Sequence, residues 1–330
     1  MQVLIIGAAG MVGRKLAHRL AGDGVLGGQA IDSMSLVDVA PPTIPPGAVR
    51  IKTVVSDMAE PGRARDLISA RPEVIFDLAA VVSGEAEIDF EKGYRVNLDG
   101  MRHLLEAVRT MDDYRPRLVF SSSVAVFGPP MPDVIGDEQA TTPATSYGTQ
   151  KAIAELLIAD YSRRGFLDGV GIRLPTICVR PGAPNRAASG FFSGIIREPL
   201  NGQETVLPVS RDVRHWFASP RAAVQFLVHA ATIDTDRLGL HRSLTMPGVS
   251  ATVDEEIAAL RRVAGDQAVA LIRDEPDEMI ARVVGGWPRA FAARRAAALG
   301  FVAETDFDEI VDVYVEDELD GRVHEGRSRS

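Results

Sequence analysis

The stretch VLIIGAAGMVGRKLAHRL, residues 3–20, limits what this chain can fold into more than any other. Four apolar residues run directly into Gly7, Gly10 and Gly13, and a helical pattern follows with no spacer. A strand that is apolar on both faces must be covered on both, and a glycine turn leading straight into a helix gathers backbone N–H groups at the helix N-terminus. The first half of the chain repeats this alternation. Strand-like runs fall at MSLVDV (34–39), VRIKTVV (49–55), EVIFDLA (73–79), RLVFSSS (117–123) and VGIRL (170–174), with helical patterns near 11–22, 60–70, 87–110 and 147–164. The alternation predicts an α/β fold, a doubly wound parallel sheet of the Rossmann type with helices on both faces.

After Pro175 the pattern changes. Segment 175–213 is rich in Pro, Gly, Arg and Asn and reads as loops around one short helix at 190–197. Residues 220–233 read as helix and 241–246 as strand. Helix 254–265, a strand-like AVALI (268–272) and helices near 276–284, 288–299 and 306–319 follow. These patterns predict a sheet-bearing domain from 1–174 plus about 214–240, and a smaller, helix-rich substrate-binding domain from 175–213 and 241–330. The acidic face of 306–319 reads as solvated, and the end, GRVHEGRSRS, as frayed.

With 330 residues, 46% of them hydrophobic, the chain can build a core without disulfide or metal staples. Its net charge of −9 argues against a nucleic-acid partner. The one cysteine, Cys178, lies in the apolar stretch LPTICV and has no second cysteine for a disulfide or a zinc site. It reads as a buried thiol in a reducing, cytoplasmic protein. The run MQVLIIG lacks a basic leader, and no apolar stretch approaches the ~20 residues of a membrane span, so no membrane partner is expected.

The glycine turn predicts a dinucleotide site. Gly7, Gly10, Met11, Val12 and Gly13 would let backbone amides approach a pyrophosphate resting on the helix N-terminus. Asp38, ending LVDV, is placed to accept hydrogen bonds from an adenosine ribose. A carboxylate there repels a 2′-phosphate, which favours NAD over NADP. The distance from the glycines exceeds the usual ~20 residues, and the polar insert 22–33 accounts for the excess. Asp57, after the third strand, either meets the adenine or caps the next helix. The sequence leaves both open.

Residues 146–151 read SYGTQK. Tyr147 and Lys151 are four apart and share a helix face. A phenol with its ordinary pKa near ~10 must drop by about 3 units to act as a base near neutrality. The expectation is that the Lys151 ammonium and an oxidised nicotinamide ring together favour phenolate, and that Lys151 also holds the nicotinamide ribose. FSSSVAVFG (120–128) supplies Ser121, Ser122 and Ser123, of which Ser123 is the choice for steadying a substrate oxygen.

GAAGMVG, Asp38, LAA (78–80), Asn97, FSSSVAVFG and YGTQK together resemble the extended short-chain dehydrogenases/reductases of the NAD-dependent epimerase/dehydratase type, over roughly residues 1–235. The resemblance implies NAD as cofactor and Ser123, Tyr147 and Lys151 as the catalytic group. It implies that Leu78, Ala79, Ala80, Ser121, Pro175 and Ile177 border the cofactor, and that Asn97 holds the active-site backbone from beneath. It also implies a homodimer through helices 87–110 and 147–164, whose Leu104, Leu105, Leu156, Leu157 and Ile158 lie on more than one face. The plain alternative is that both helices only cover the sheet.

Nucleotide-sugar members of the family carry a segment like RDFIHVDD, and VRHWFASPRAAVQFLVHA (213–230) lacks its paired aspartates. The chain is instead similar to members that oxidise the C2 hydroxyl of a four-carbon sugar acid. A sugar acid needs a cation for its carboxylate. Arg180, Arg186, Arg211, Arg214 and His215 are available. Arg214 and His215 lead, because they occupy the RDF-like position, with a surface ion pair as the alternative. Ser83, Glu85 and Asn185 would meet substrate hydroxyls, while Trp216 and Trp287 read as packing residues. Two other functions stay open. One is a nucleotide-sugar 4-epimerase or dehydratase. The other is a non-catalytic NAD-sensing regulator, which would have little use for the Tyr–Lys pair.

Overall fold

Successive side chains of a strand point to opposite faces, and in this chain both faces are apolar. The computed structural model describes residues 1–182 and 189–322. In chain order its first half holds β1 (Gln2–Ile6), α1 (Met11–Asp23), β2 (Ser33–Asp38), β3 (Arg50–Val55), α2 (Arg63–Ile68) and β4 (Val74–Asp77). Then come α3 (Ser83–Ile88), α4 (Phe90–Tyr94), a π-helical turn at Arg95–Asp99, α5 (Gly100–Arg109), β5 (Arg117–Ser123), α6 (Ser146–Arg163) and β6 (Asp168–Leu174). The second half holds β7 (Thr176–Ile177), α7 (Gly190–Leu200), β8 (Arg214–Ala218), α8 (Pro220–Ala230), β9 (Ser243–Thr245), β10 (Val249–Thr252), α9 (Val253–Val269), α10 (Glu278–Gly285), α11 (Arg294–Ala298) and α12 (Phe307–Glu318).

Seven strands form one parallel sheet in the order β9-β6-β5-β4-β1-β2-β3. Val3, Ile5, Leu36, Phe76 and Val119 face α1 and α8, while Leu4, Ile6, Val37, Ile75 and Leu118 face α2, α5 and α6. This is the doubly wound arrangement that the alternation demanded. Strand order reverses at β1, so a crevice opens at the C-terminal ends of β1 and β4. A second core, around Phe192, Ile195, Phe217, Ile257 and Ile310, lies beside a small sheet in which β8 pairs with both β7 and β10. No helix among the described residues is long and apolar enough to cross a membrane.

Several expectations shift. β8 falls in the span of about 214–240 expected with the sheet-bearing domain, yet it pairs with β7 and β10 outside the large sheet, whereas β9, in the span expected for the substrate domain, forms the edge of the large sheet beside β6. AVALI is not a strand. Helix α9, opened by the capping box of Thr252 and Glu255, is broken at the non-helical Gly265 (φ 74°), and a second short helical stretch follows to Val269, leaving only 272–274 extended. Within 288–299, Phe291–Ala292 pairs with Ile135–Gly136, and only α11 is helical. The single helix expected at 87–110 is interrupted at Asp89, whose carboxylate caps the Lys92 amide. Residues 25–30 form a hairpin across Gly27 and Gly28 (φ 58° and 78°), the positive angles that a two-residue turn needs. Leu104, Leu105 and Ile158 are buried under the sheet, whereas Leu156 is 69% exposed.

Glu256, in the first turn of α9, is fully buried, and neither carboxylate oxygen has a hydrogen-bond partner among the described residues. Burial raises its pKa well above the carboxylate range, so the folded chain holds it as a neutral acid. Between the ordinary carboxyl pKa and the raised folded value, the folded state binds the extra proton, and stability falls as pH rises through that window. Glu256→Met should stabilise by about 1–3 kcal/mol at neutral pH and flatten the decline. Urea unfolding at several pH values checks this, and unchanged midpoints would contradict it.

Candidate active site

The crevice at β1 is built by glycines that have no room for a side chain. Gly7 has φ +86°, and a Cβ on it would lie 2.6 Å from the Ala79 backbone nitrogen. A Cβ on Gly13 would lie 2.2 Å from the Gly7 carbonyl oxygen. The turn is thereby pressed against the end of β4 and the first turn of α1. Gly10 caps α1 with no side chain, so the first amides of the helix keep no intrahelical acceptor. Gly7, Gly10, Met11, Val12 and Gly13 line one end of a cavity of about 480 Å³. A crowded turn that is closed to side chains and open to an anion fits a dinucleotide pyrophosphate. Gly13→Ala should therefore weaken NAD binding at least about tenfold, because the backbone must move away. Calorimetric titration with NAD reads this directly, and wild-type affinity in the variant would contradict it.

Asp38 stands at the end of β2 beside the turn, outside the cavity lining. Its Oδ2 accepts from the Ala9 amide at 2.9 Å and its Oδ1 from the Ala40 amide at 3.2 Å. Of the two roles open to Asp57, local capping is visible. Oδ1 accepts from the Ala59 amide at 2.9 Å, and Oδ2 pairs with Arg95 at 2.6 Å. The capped turn precedes α2, which starts at Arg63 with Gly62 as its own cap.

Leu78 and Ala80 line the cavity, while Ala79 backs onto Gly7. The backbone beyond them is fixed by Asn97. Its Oδ1 accepts from the Val81 amide at 2.8 Å, and its Nδ2 donates to the Val81 carbonyl at 3.1 Å and to Gln150 Oε1 at 2.7 Å. Asn97 sits in the π-helical turn, where the extra residue turns this buried amide toward α6.

The tyrosine–lysine pair is seated by the start of α6. Thr145 caps the helix by accepting from the Gly148 amide at 3.0 Å. Gly148 packs so close to Ala125 that a Cβ would lie 2.1 Å from its carbonyl oxygen. This contact brings Tyr147 to the end of β5, where it lines the cavity together with Ser123. Lys151 Nζ donates to the Ser121 carbonyl at 2.7 Å and stands 5.7 Å from the centre of the Tyr147 ring. Ser121, Ser123, Tyr147 and Lys151 all line the cavity.

The electrostatics differ from the expected tuning in one respect. Burial pushes the Tyr147 phenol up to about 12, and the opposing pulls come from Ser123 and Arg180, not from Lys151. Lys151 is itself brought down to about 8 by burial, against the attraction of Asp77 and Glu155. Burial lifts Asp77 to about 6, against the pull of Lys151. The chain alone therefore keeps the phenol protonated at neutral pH. Lys151 is occupied by a carbonyl and lies over the Phe120 ring at 4.5 Å.

The far wall of the cavity holds the substrate candidates. Pro175, Ile177 and Ser83 line it. Glu85 does not, because it pairs with Lys92 at 2.6 Å. Arg214 does not either. It donates to the Ser250 carbonyl at 2.9 Å and pairs with Glu255 at 3.3 Å. Strand alternation explains the split within the pair, for β8 turns Arg214 outward and His215 inward. His215 lines the cavity, 2% exposed, and burial takes its pKa down to about 4. Asn185 and Arg186 lie outside the described residues, and Arg211 pairs with Asp274 at 2.7 Å.

Among the arginines of the described residues, the one that lines the cavity is Arg180, and the sequence offers it only as one arginine among several. Its Nε donates to the Ile177 carbonyl at 2.9 Å and its Nη2 to Ser189 Oγ at 2.6 Å. Among the described residues no carboxylate lies within 4.0 Å of it. Its place just past β7, at the mouth of a strand end, is the signal that would have found it. Thr176 and Trp287 also line the cavity, the first carrying no signal in the sequence and the second reading there as a packing residue. Cys178 is buried behind this wall with its thiol pKa pushed up, so it stays unreactive.

The sequence and the fold have counterparts among known proteins. The model of the NAD dependent epimerase/dehydratase family matches residues 3–234. A D-erythronate dehydrogenase from Cupriavidus necator is 48% identical over 96% of this chain and 98% of that protein. One from Haemophilus influenzae is 40% identical over 96% and 99%. The crystal structure of a protein from Agrobacterium tumefaciens described as a nucleoside-diphosphate-sugar epimerase is 60% identical, with TM-score 0.94 over 98% of this chain and 95% of that one. An L-threonine dehydrogenase structure from Cupriavidus necator shares the fold, at TM-score 0.81 and 22% identity over 96% of this chain and 99% of that one.

Proposed function

Because this chain belongs to the NAD dependent epimerase/dehydratase family, we propose that it is an NAD-dependent dehydrogenase that oxidises the C2 hydroxyl of D-erythronate to 2-oxo-erythronate. The observation that carries this reading is Arg180, a guanidinium in the cavity wall with no acidic partner among the described residues, close enough to Tyr147 to pull on its titration. A substrate carboxylate on Arg180 sets the neighbouring C2 hydroxyl toward Tyr147 and Ser123. The names of two relatives, at 48% and 40% identity, agree with that chemistry.

NAD, when bound, supplies the acceptor for the hydride that leaves C2. Gly7, Gly10 and Gly13 would hold its pyrophosphate, Asp38 its adenosine ribose, and the remaining N–H bonds of the Lys151 ammonium its nicotinamide ribose. Tyr147, as phenolate, takes the proton of the C2 hydroxyl, and Ser123 donates to the same oxygen as it becomes a carbonyl. Arg180 has two tasks: it grips the carboxylate, and it favours the phenolate of Tyr147. Lys151 returns the proton toward solvent.

The test is to mix the purified protein with NAD and D-erythronate and follow reduced nicotinamide by absorbance. A second reading, a nucleotide-sugar 4-epimerase, is favoured by the description of the Agrobacterium structure. It requires interconversion of UDP-sugars with no net reduction of NAD, and the same preparation distinguishes the two.

The homodimer we assign would use the exposed apolar residues Ile88 (79%), Phe90 (57%) and Leu156 (69%) around α3, α4 and α6. Light scattering that gave the mass of one chain would count against it. The single buried cysteine supports a cytoplasmic setting, which fractionation of producing cells would test.

A further inference from the structure

The polarity of one hydrogen-bond chain in the cavity wall is fixed from its buried end. The Pro288 carbonyl can only accept, and it lies 2.9 Å from His215 Nδ1. That nitrogen must therefore carry the ring proton. His215 is buried and stacked on Phe192, with ring centres 5.3 Å apart and planes 7° apart, and among the described residues the charge acting on it is the positive Arg180. Both its burial and that neighbour oppose a second proton, so Nε2 keeps a lone pair. Thr176 Oγ1 lies 2.6 Å from Nε2 and must spend its only proton there. What remains on the Thr176 oxygen is lone pairs alone, in a residue that lines the cavity with Arg180 and Trp287.

We propose that Thr176, oriented by His215 and the Pro288 carbonyl, is an obligate acceptor that reads a hydroxyl of the substrate at C3 or C4. The inference rests on the sugar-acid reading above and sharpens it, for it makes the site selective for a polyhydroxy acid over a simple 2-hydroxy acid. A carbonyl or carboxylate oxygen brought to Thr176 meets lone pair against lone pair and is repelled. A hydroxyl is the neutral group that satisfies it. The carboxylate belongs at Arg180, so the two contacts also set which end of the substrate enters first.

The experiment compares kcat/KM for D-erythronate and for D-2-hydroxybutyrate, which lacks both outer hydroxyls, in wild type, Thr176→Val and Thr176→Ser. The wild type should prefer D-erythronate by roughly 10- to 100-fold. Thr176→Val should lose that preference through a drop on D-erythronate alone, and Thr176→Ser should keep it. A preference retained in Thr176→Val, or a loss of NAD affinity in place of it, would overturn the proposal. A second readout is independent of turnover. Nitrogen NMR of the wild-type chain, with the His215 signal assigned by its loss in His215→Gln, should show the Nδ1–H tautomer and no titration between about pH 6 and 8. An Nε2–H tautomer or a titrating ring would also overturn it. Absence of any oxidation of D-erythronate by the wild type would sink the sugar-acid reading instead, while the tautomer result would still judge the hydrogen-bond chain.

Discussion

Tyr147→Phe should lower kcat for sugar-acid oxidation by about 10²- to 10⁴-fold and leave NAD affinity near the wild-type value. The ring stays in place and only the proton-accepting oxygen is removed. In the chain alone, burial holds that phenol at about 12. A phenol must be deprotonated to act as a base, so wild-type activity should climb with pH until the working pKa is reached. Stopped-flow measurement of the first turnover, beside NAD titrations of both proteins, separates the chemical step from binding. An unchanged first turnover would remove Tyr147 from the mechanism.

Arg180→Met should reduce kcat/KM for D-erythronate by about 10²- to 10³-fold, chiefly through KM, since a charge-assisted grip on the substrate is lost. A second effect follows from electrostatics. Arg180 pulls the Tyr147 phenol downward, so its removal should move the alkaline rise of the rate to higher pH. Arg214→Met is the control. Arg214 is engaged by Glu255 and Ser250 outside the cavity, and its loss should change kcat/KM by less than about twofold. Steady-state kinetics over a pH series reads all three effects. Equal losses in the two variants would contradict the placement of the carboxylate at Arg180.

Local chemistry was the legible part of this site. The glycine turn joins one strand directly to the next helix, and Tyr147 and Lys151 sit one turn apart on α6. Their spacing therefore carries their geometry. The substrate wall is assembled from β7, β8 and the segment at 286–288, which are far apart in sequence. Arg214 and His215 could not be separated until β8 was known to be a strand of the small sheet, where alternation sends one outward and the other inward. Glu85 looked available because the break at Asp89, which brings Lys92 to it, does not show in a helical pattern. AVALI has strand composition, but a short helical stretch that starts again after the break at Gly265 runs into it as far as Val269. A spacing of four places Tyr147 and Lys151 on one face, but it does not show that the ammonium also donates to the Ser121 carbonyl.

The most direct measurement is the absorbance of reduced nicotinamide when purified wild-type protein meets NAD and D-erythronate. Formation of NADH that depends on the acid and is lost in Tyr147→Phe is the expected result. No reduction across four-carbon sugar acids, together with interconversion of UDP-sugars by the same preparation, would contradict it.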